Sequence, residues 1–295
     1  MKHYINSQMK YTAVALACLL IVVSSLLGNT SAALATGTGP LLPPLLTAGN
    51  YTILTEAGIS NTVTALTKVT GDIGVSPIHA TGITGFGLSA PPTTFTTSPW
   101  VIGNVYASDY NPPTPANLTT AILDMTNAYT QTANMGVPAA TLDEGAGHLG
   151  GKSLVGGIYK FDSSDPNVDI TSTLTLTGGA GDTWIFQIPG NLTIATNQQI
   201  VMGGSAVPEN VYWQVAGSTT ISPGATFQGV ILDYTNIAIQ TGAKLIGRAF
   251  SQTAVTLDAN TIVPVQAAAT SVTISIPTGI STLTTHPSGT IGVQY

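Results

Sequence analysis

The residues best suited to chemistry in this 295-residue chain are its carboxylates, and they are sparse. Asp162, Asp165 and Asp169 fall together in FDSSDPNVD, a spacing that could offer oxygen ligands to calcium. The same spacing suits a solvated turn, in which Asp bonds its own backbone, and the turn is the stronger reading. Asp143 and Glu144 are adjacent in a Gly-rich stretch, so they do not face each other as an acid–base pair across a glycosidic bond would. His79, His148 and His286 are too scattered for a metal or triad motif. Trp184 and Trp213 could stack on a sugar, but their place on doubly apolar strands argues for core packing under a covering helix. Asn50, Asn117 and Asn191 each begin an Asn-x-Thr sequence, unremarkable in so Thr-rich a chain. Neither catalysis, nor a cofactor, nor a metal is expected.

Composition narrows the field further. Only 7% of residues are charged and 43% are hydrophobic, so the chain can bury a core but carries few surface charges. With 7 Lys+Arg and a formal charge of −6, no basic footprint for nucleic acid exists. Lys2 and Lys10 precede the apolar run YTAVALACLLIVVSSLL, and Ala33 and Ala35 flank Leu34 beyond it. That order is a signal peptide over residues 1–35, cleaved after Ala35; an uncleaved anchor helix is the alternative. Cys18 lies inside this run, so the mature chain has no disulfide. A secreted monomer with no membrane span in its mature domain is expected.

The elements that position side chains repeat. IQTGAKLIGRAF lies over ISPGATFQGVIL, and IFQIPGNLTIA over YWQVAGSTTIS, with GGSAVPEN as an inserted loop. Imperfect repeats with strand patterning predict a mostly β solenoid over residues 36–265. Each repeat divides into three strands, hence a triangular cross-section. The first (GIYKF, TWIFQI, VYWQV, GVIL, GRAF) is apolar on both faces and must be covered on both. The second (VDI, NLTIA, STTIS, NIAIQ, AVTLD) and third (TLTLTG, QQIVM, ATFQG, AKLIG, NTIV) alternate. The cover is a long α-helix over about 115–134, with Thr114 as N-cap and a stripe of Leu118, Ile122, Met125 and Tyr129. Residues 50–77 read as one further coil, with an interruption from about Ile78 to Gly157. Residues 266–295 lose the repeat and read as a Thr/Ser-rich final strand or stalk, the latter compatible with cell-surface attachment.

GDIGVSP (Gly71 to Pro77), TGITGFG (Thr81 to Gly87), VYASDYNPPTP (Val105 to Pro115), DTWIFQI (Asp182 to Ile188), VYWQVAG (Val211 to Gly217) and TAVTLDANT (Thr253 to Thr261) resemble the microbial ice-binding protein family, from about Thr47 to Val265. The resemblance implies a right-handed, discontinuous β-helix with a helix along one face, and ice as the partner of one flat face.

Two faces compete for that role. Stacked coils lie ~4.8 Å apart and alternate residues along a strand ~6.6 Å apart, a grid on the scale of oxygen repeats in ice. On the second-strand face the outward row is Asp169, Thr193, Thr220, Ala238 and Thr256, flanked by Thr171, Asn191, Ala195, Ser218, Ser222, Asn236, Gln240 and Ala254. On the third-strand face the outward row reads Thr175, Thr226 and Lys244. The second face, free of lysine, is the one expected to meet ice, and the family's ice-binding face aligns with these strands. Outward strand positions favour Thr in any case, so an adhesin or carbohydrate-binding module stays open as the alternative, with a solenoid hydrolase behind it.

Overall fold

The computed structural model describes residues 38–62, 66–89, 93–136 and 141–264. The proposed signal peptide and the Thr/Ser-rich C-terminal segment lie outside these residues. Parallel strands stack into a three-sided solenoid, each strand pairing with its counterpart in the next coil. Side one runs Gly157–Lys160, Trp184–Ile188 and Val211–Val215, then the second halves of Thr226–Asp233 and Lys244–Ser251. It continues through Tyr51–Thr55, Asp72–Val75 and Val105–Ala107. Side two is made of Val168–Ile170, Leu192–Ile194, Thr219–Ile221, Asn236–Ile239, Ala254–Leu257, Gly58–Asn61 and Ile83–Thr84. Side three holds Ser153–Leu154, Leu174–Gly178, Ile200–Gly204, the first halves of the two long strands, Thr261–Val263, Lys68–Thr70 and Val101–Ile102.

The two long strands turn from side three to side one without a loop. Gly229 and Gly247 sit at that bend with φ of 122° and 151°, where an L side chain is strained. A Cβ on Gly247 would lie 1.8 Å from the Gly229 carbonyl oxygen, so these neighbouring corners must both stay bare.

The stack is discontinuous in sequence. Tyr51–Thr55 pairs on one edge with Lys244–Ser251 and on the other with Asp72–Val75. Its coil takes sides one and two from residues 51–61 and side three from Thr261–Val263. The N-terminal segment therefore contributes more than the single coil expected. Lys68–Thr70, Asp72–Val75 and Ile83–Thr84 form another, and Val101–Ile102 with Val105–Ala107 begin a third inside the stretch assigned to the interruption. These strands are two to four residues long and broken by Gly and Pro, too short for a periodicity to register.

The core has two compartments. Inside the solenoid, Tyr159, Phe186 and Trp213 stack in consecutive coils, with Phe186 and Trp213 3.9 Å apart and nearly parallel, and Phe227 meets Trp213 at a tilt. Trp184 and Trp213 belong to this interior rather than to the layer under the helix, and their indole N–H groups donate to the Leu154 and Gln228 carbonyls. Their strand neighbours Ile185 and Tyr212 face outward, with Leu54, Ile158, Val230, Leu232 and Phe250, into the second compartment.

The helix α1 (Thr114–Ala133) closes that compartment. It buries Leu118, Ala121, Met125, Ala128 and Thr132, while Ile122 and Tyr129 are only partly buried at its margin. The stripe is thus rotated towards small residues, which let the helix approach the sheet closely. Pro113 occupies the N-cap position. Thr114 is the first helical residue and its hydroxyl donates to the Thr94 carbonyl instead of capping. Gln187 on side one donates to the carbonyls of Thr132 (2.6 Å) and Met135 (2.9 Å), tying down the helix's last turn.

Candidate functional site

Side two is built by strict alternation. Val168, Ile170, Leu192, Ile194, Ile221, Ile237, Ile239, Val255, Leu257, Ile59 and Ile83 turn inward and are buried. Their intervening residues stand outward in one column whose register is fixed by strand pairing: Asp169, Thr193, Thr220, Ala238, Thr256, Ser60 and Thr84. The five residues expected in the row are brought together. Ser60 and Thr84 are additions, delivered by the N-terminal coils. A signal for them exists in the paired AGIS and TGIT, where Gly-Ile precedes the hydroxyl residue in both. The Ser60 hydroxyl donates to the Thr256 Oγ1 at 3.3 Å, linking the two chain segments across the column.

The flanking columns are ordered by the backbone. On one side Asn191 Oδ1 accepts from the Ser218 N–H (2.8 Å) and hydroxyl (3.0 Å), and Asn167 Oδ1 accepts from the Asn191 N–H (2.9 Å). Asn236 pairs with Ala254 in the same column. On the other side the N–H groups of Ala195, Ser222 and Gln240 each donate to a carbonyl of the preceding coil. Thr171 is exposed at the end of this column. Side chains at these positions are short or amide-bearing, so the face has low relief.

Charge is confined to the margins. Asp169 ends the central column and lies 2.7 Å from His148 Nδ1, the two residues also forming a parallel backbone bridge. Among the described residues, no Lys or Arg stands on side two. Thr219 turns inward, and its hydroxyl donates to Asp233 Oδ2 at 2.6 Å at the corner joining sides one and two. Asp233 is 1% exposed. Burial pushes its carboxyl up to about 7, although hydrogen bonds from Thr219 and Thr235 pull the other way.

Side three differs. Thr226 pairs with Gln199 and Lys244, and Lys244 with Thr261, which pairs with Lys68. Thr175 is not in that row, because it pairs with Val201, two residues further along its neighbour than Gln199. The run TLTLT thus contributes to a mixed face carrying two lysines.

The carboxylates singled out at the start are used locally. Asp162 Oδ1 accepts from the Ser164 N–H (2.6 Å) and hydroxyl (2.5 Å), bonds that hold its carboxyl below the ordinary range. Asp143 Oδ1 accepts from the Asp162 N–H, and Glu144 pairs with Lys152 at 2.7 Å. Among the described residues, no three His, Cys, Asp or Glu side chains converge.

The class defined by this geometry is a discontinuous parallel β-solenoid with one helix-covered side and one low-relief, nearly uncharged side. The chain belongs to the ice-binding-like family, whose model matches residues 53–263. It is 45% identical over 238 residues to an ice-binding protein of Flammulina populicola, covering 80% of this chain and 93% of that one. It is 37% identical over 249 residues to one from Colwellia sp, covering 82% and 90%. Among solved structures it is similar to an Arctic yeast ice-binding protein described for its antifreeze activity, with a TM-score of 0.71, 41% identity and coverage of 77% and 97%. It is also similar to a domain of a Shewanella frigidimarina ice-binding protein, with a TM-score of 0.69, 28% identity and coverage of 78% and 100%.

Proposed function

We propose that this protein adsorbs to ice through side two and thereby restrains ice growth and recrystallisation. The observation that carries the reading is the register that places Thr193, Thr220, Ala238, Thr256, Ser60 and Thr84 in one unbroken column with no basic residue beside it. Repeats of ~4.8 Å between coils and ~6.6 Å along strands give ordered water a rigid template. Threonine is stiff at its first side-chain torsion, so ordering it against a crystal loses little entropy. Adsorbed molecules pin the ice front, which must bulge between them, and further growth becomes unfavourable.

The centre of contact is the column named above, with Thr171, Asn191, Ala195, Ser218, Ser222, Asn236, Gln240 and Ala254 at its flanks. No catalytic step is part of this function. The protein is exported by the segment 1–35 and works outside the cell as a monomer. Partial coverage of the solenoid ends supports the last point: single backbone bridges, Leu142 to Lys160 and His148 to Asp169 at one end and Thr96 to Val105 at the other, shorten the edges available for stacking. The test is uptake from dilute solution into a slowly growing ice hemisphere. Enrichment in the ice over an inert protein of similar size supports the reading; exclusion to the level of that control overturns it.

A further inference from the structure

A cavity of about 610 Å³ opens beside the first turns of α1, within the size range of small-molecule sites. Its lining includes Asn50, Tyr51, Asp72, Tyr106, Asn117 and Thr120. It lies on the helix-covered side of the triangle, so an occupant leaves side two open.

The chemistry of the wall is specific. Tyr51 and Tyr106 meet edge-on at 5.8 Å and form the aromatic part of the lining, with Phe95 against Tyr106 outside it. The side-chain amides of Asn50 and Asn117 and the hydroxyl of Tyr51 have no hydrogen-bond partner within the described chain, yet none is sealed from solvent. Asp72 presents one oxygen to the Asn104 N–H (2.8 Å) and keeps the other available. No basic side chain lines the cavity, which disfavours an anion, and a single carboxylate with one oxygen already engaged is a poor cation site. Convergent amides, hydroxyls and one carboxylate acceptor beside aromatic rings match a neutral polyhydroxyl ligand, whose hydroxyls both donate and accept and whose C–H face packs on a ring.

Two of the three Asn-x-Thr sequences, unremarkable in themselves in so Thr-rich a chain, converge on this cavity. Asn50-Tyr51-Thr52 and Asn117-Leu118-Thr119 are both N-glycosylation acceptor sequences, and both asparagines stand on this cavity. The acceptor sequence at Asn191 is placed differently: its side chain holds the Ser218 N–H and hydroxyl at the flank of side two.

We propose that this cavity is a saccharide seat, filled either by a free neutral sugar or by the first rings of a glycan carried on Asn117 or Asn50. Two arms test it and separate the sources. In the first, full-length protein made in a host without N-glycosylation is titrated with N-acetylglucosamine, chitobiose and trehalose, followed by amide and side-chain NMR. Binding in the millimolar range should shift Tyr51, Tyr106, Asn50 and Asn117. Thr120→Tyr, an exposed helix position that would fill the cavity, should weaken it at least tenfold with an unchanged melting temperature. In the second, protein secreted from a glycosylating yeast is mapped by glycopeptide mass spectrometry, and contacts are sought between the first sugar ring and the Tyr106 ring. Either saturable binding blocked by Thr120→Tyr or a glycan in contact with Tyr106 supports the seat. No shift at tens of millimolar together with no glycan–Tyr106 contact overturns it, as does sugar binding that survives Thr120→Tyr. Ice uptake by the same samples reports separately on side two.

Discussion

Replacing Thr220 with tyrosine isolates the contact surface from the fold. Thr220 is half-buried in the central column, between Thr193 and Ala238, and its hydroxyl makes no hydrogen bond within the described chain. The substitution therefore removes no internal partner, and at an outward strand position it should change stability by less than about 0.5 kcal/mol. Its effect on a flat contact is much larger. Seven strands spaced about 4.8 Å apart make side two roughly 29 Å long. A tyrosine ring near the middle holds the surface several ångströms off a crystal plane. A gap of about 1 Å already forfeits up to half of a dispersion contact, so the neighbouring rungs lose theirs altogether. Loss of even about 1.4 kcal/mol of contact is a tenfold fall in affinity. Thermal hysteresis measured by nanolitre osmometry should accordingly fall at least several-fold, with circular dichroism and melting near wild type. Thr84→Tyr, at the end of the column, only tilts the face and should cost less. Thr226→Tyr, on side three, should retain most activity. The reasoning is refuted if Thr226→Tyr abolishes hysteresis while Thr220→Tyr preserves it.

Three further outcomes are expected. Ala121→Asp places a carboxylate in the dry layer between α1 and side one, where Ala121 is fully buried, and should destabilise the fold by several kcal/mol; an unchanged thermal midpoint would show that the helix does not pack there. Asp233 has its folded pKa raised from 3.8 to about 7. Its neutral form thus favours the native state, a contribution complete below about pH 4 and lost as pH rises through 7, worth at most about 4 kcal/mol. Denaturant titrations should find Asp233→Asn flattening this component of the pH profile between 4 and 8, and identical profiles for the two proteins would contradict the assignment. Sequencing of the exported protein should begin at or near Thr36; recovery of Met1 on secreted material would refute cleavage after Ala35.

Side two was legible because its strands alternate cleanly. In NLTIA and AVTLD the aliphatic residues can only turn inward, which sends Thr193 and Thr256 out. The same logic fails where both faces are buried. In WIFQI every position is apolar or capped, so a period of two cannot say that Trp184 enters the solenoid while Ile185 faces the helix. The helix was visible from Leu118 and Met125, but its true centre includes Ala121 and Ala128, small residues that carry little hydrophobic signal. Ser60 and Thr84 escaped because their neighbours in space are remote in sequence. Thr175 was misplaced because a period of two fixes which way a side chain points but not its register between coils, and Thr175 pairs with Val201, two residues past Gln199.

The shared coil bears on how the molecule is made. Thr256 meets Ser60 only when a strand near the end of the solenoid has slotted beside one near its start. Such pairings have long sequence separation and are slow to form. During synthesis, the Thr193 and Thr220 rungs can assemble from neighbouring repeats, while Ser60 and Thr84 wait for residues near 254–263 to emerge. The face reaches its full length only in a finished chain. A product truncated before Ala254 keeps the rungs at 193, 220 and 238 and can still pair Lys244–Ser251 with Tyr51–Thr55 on side one, but side two lacks the rung between Ala238 and Ser60.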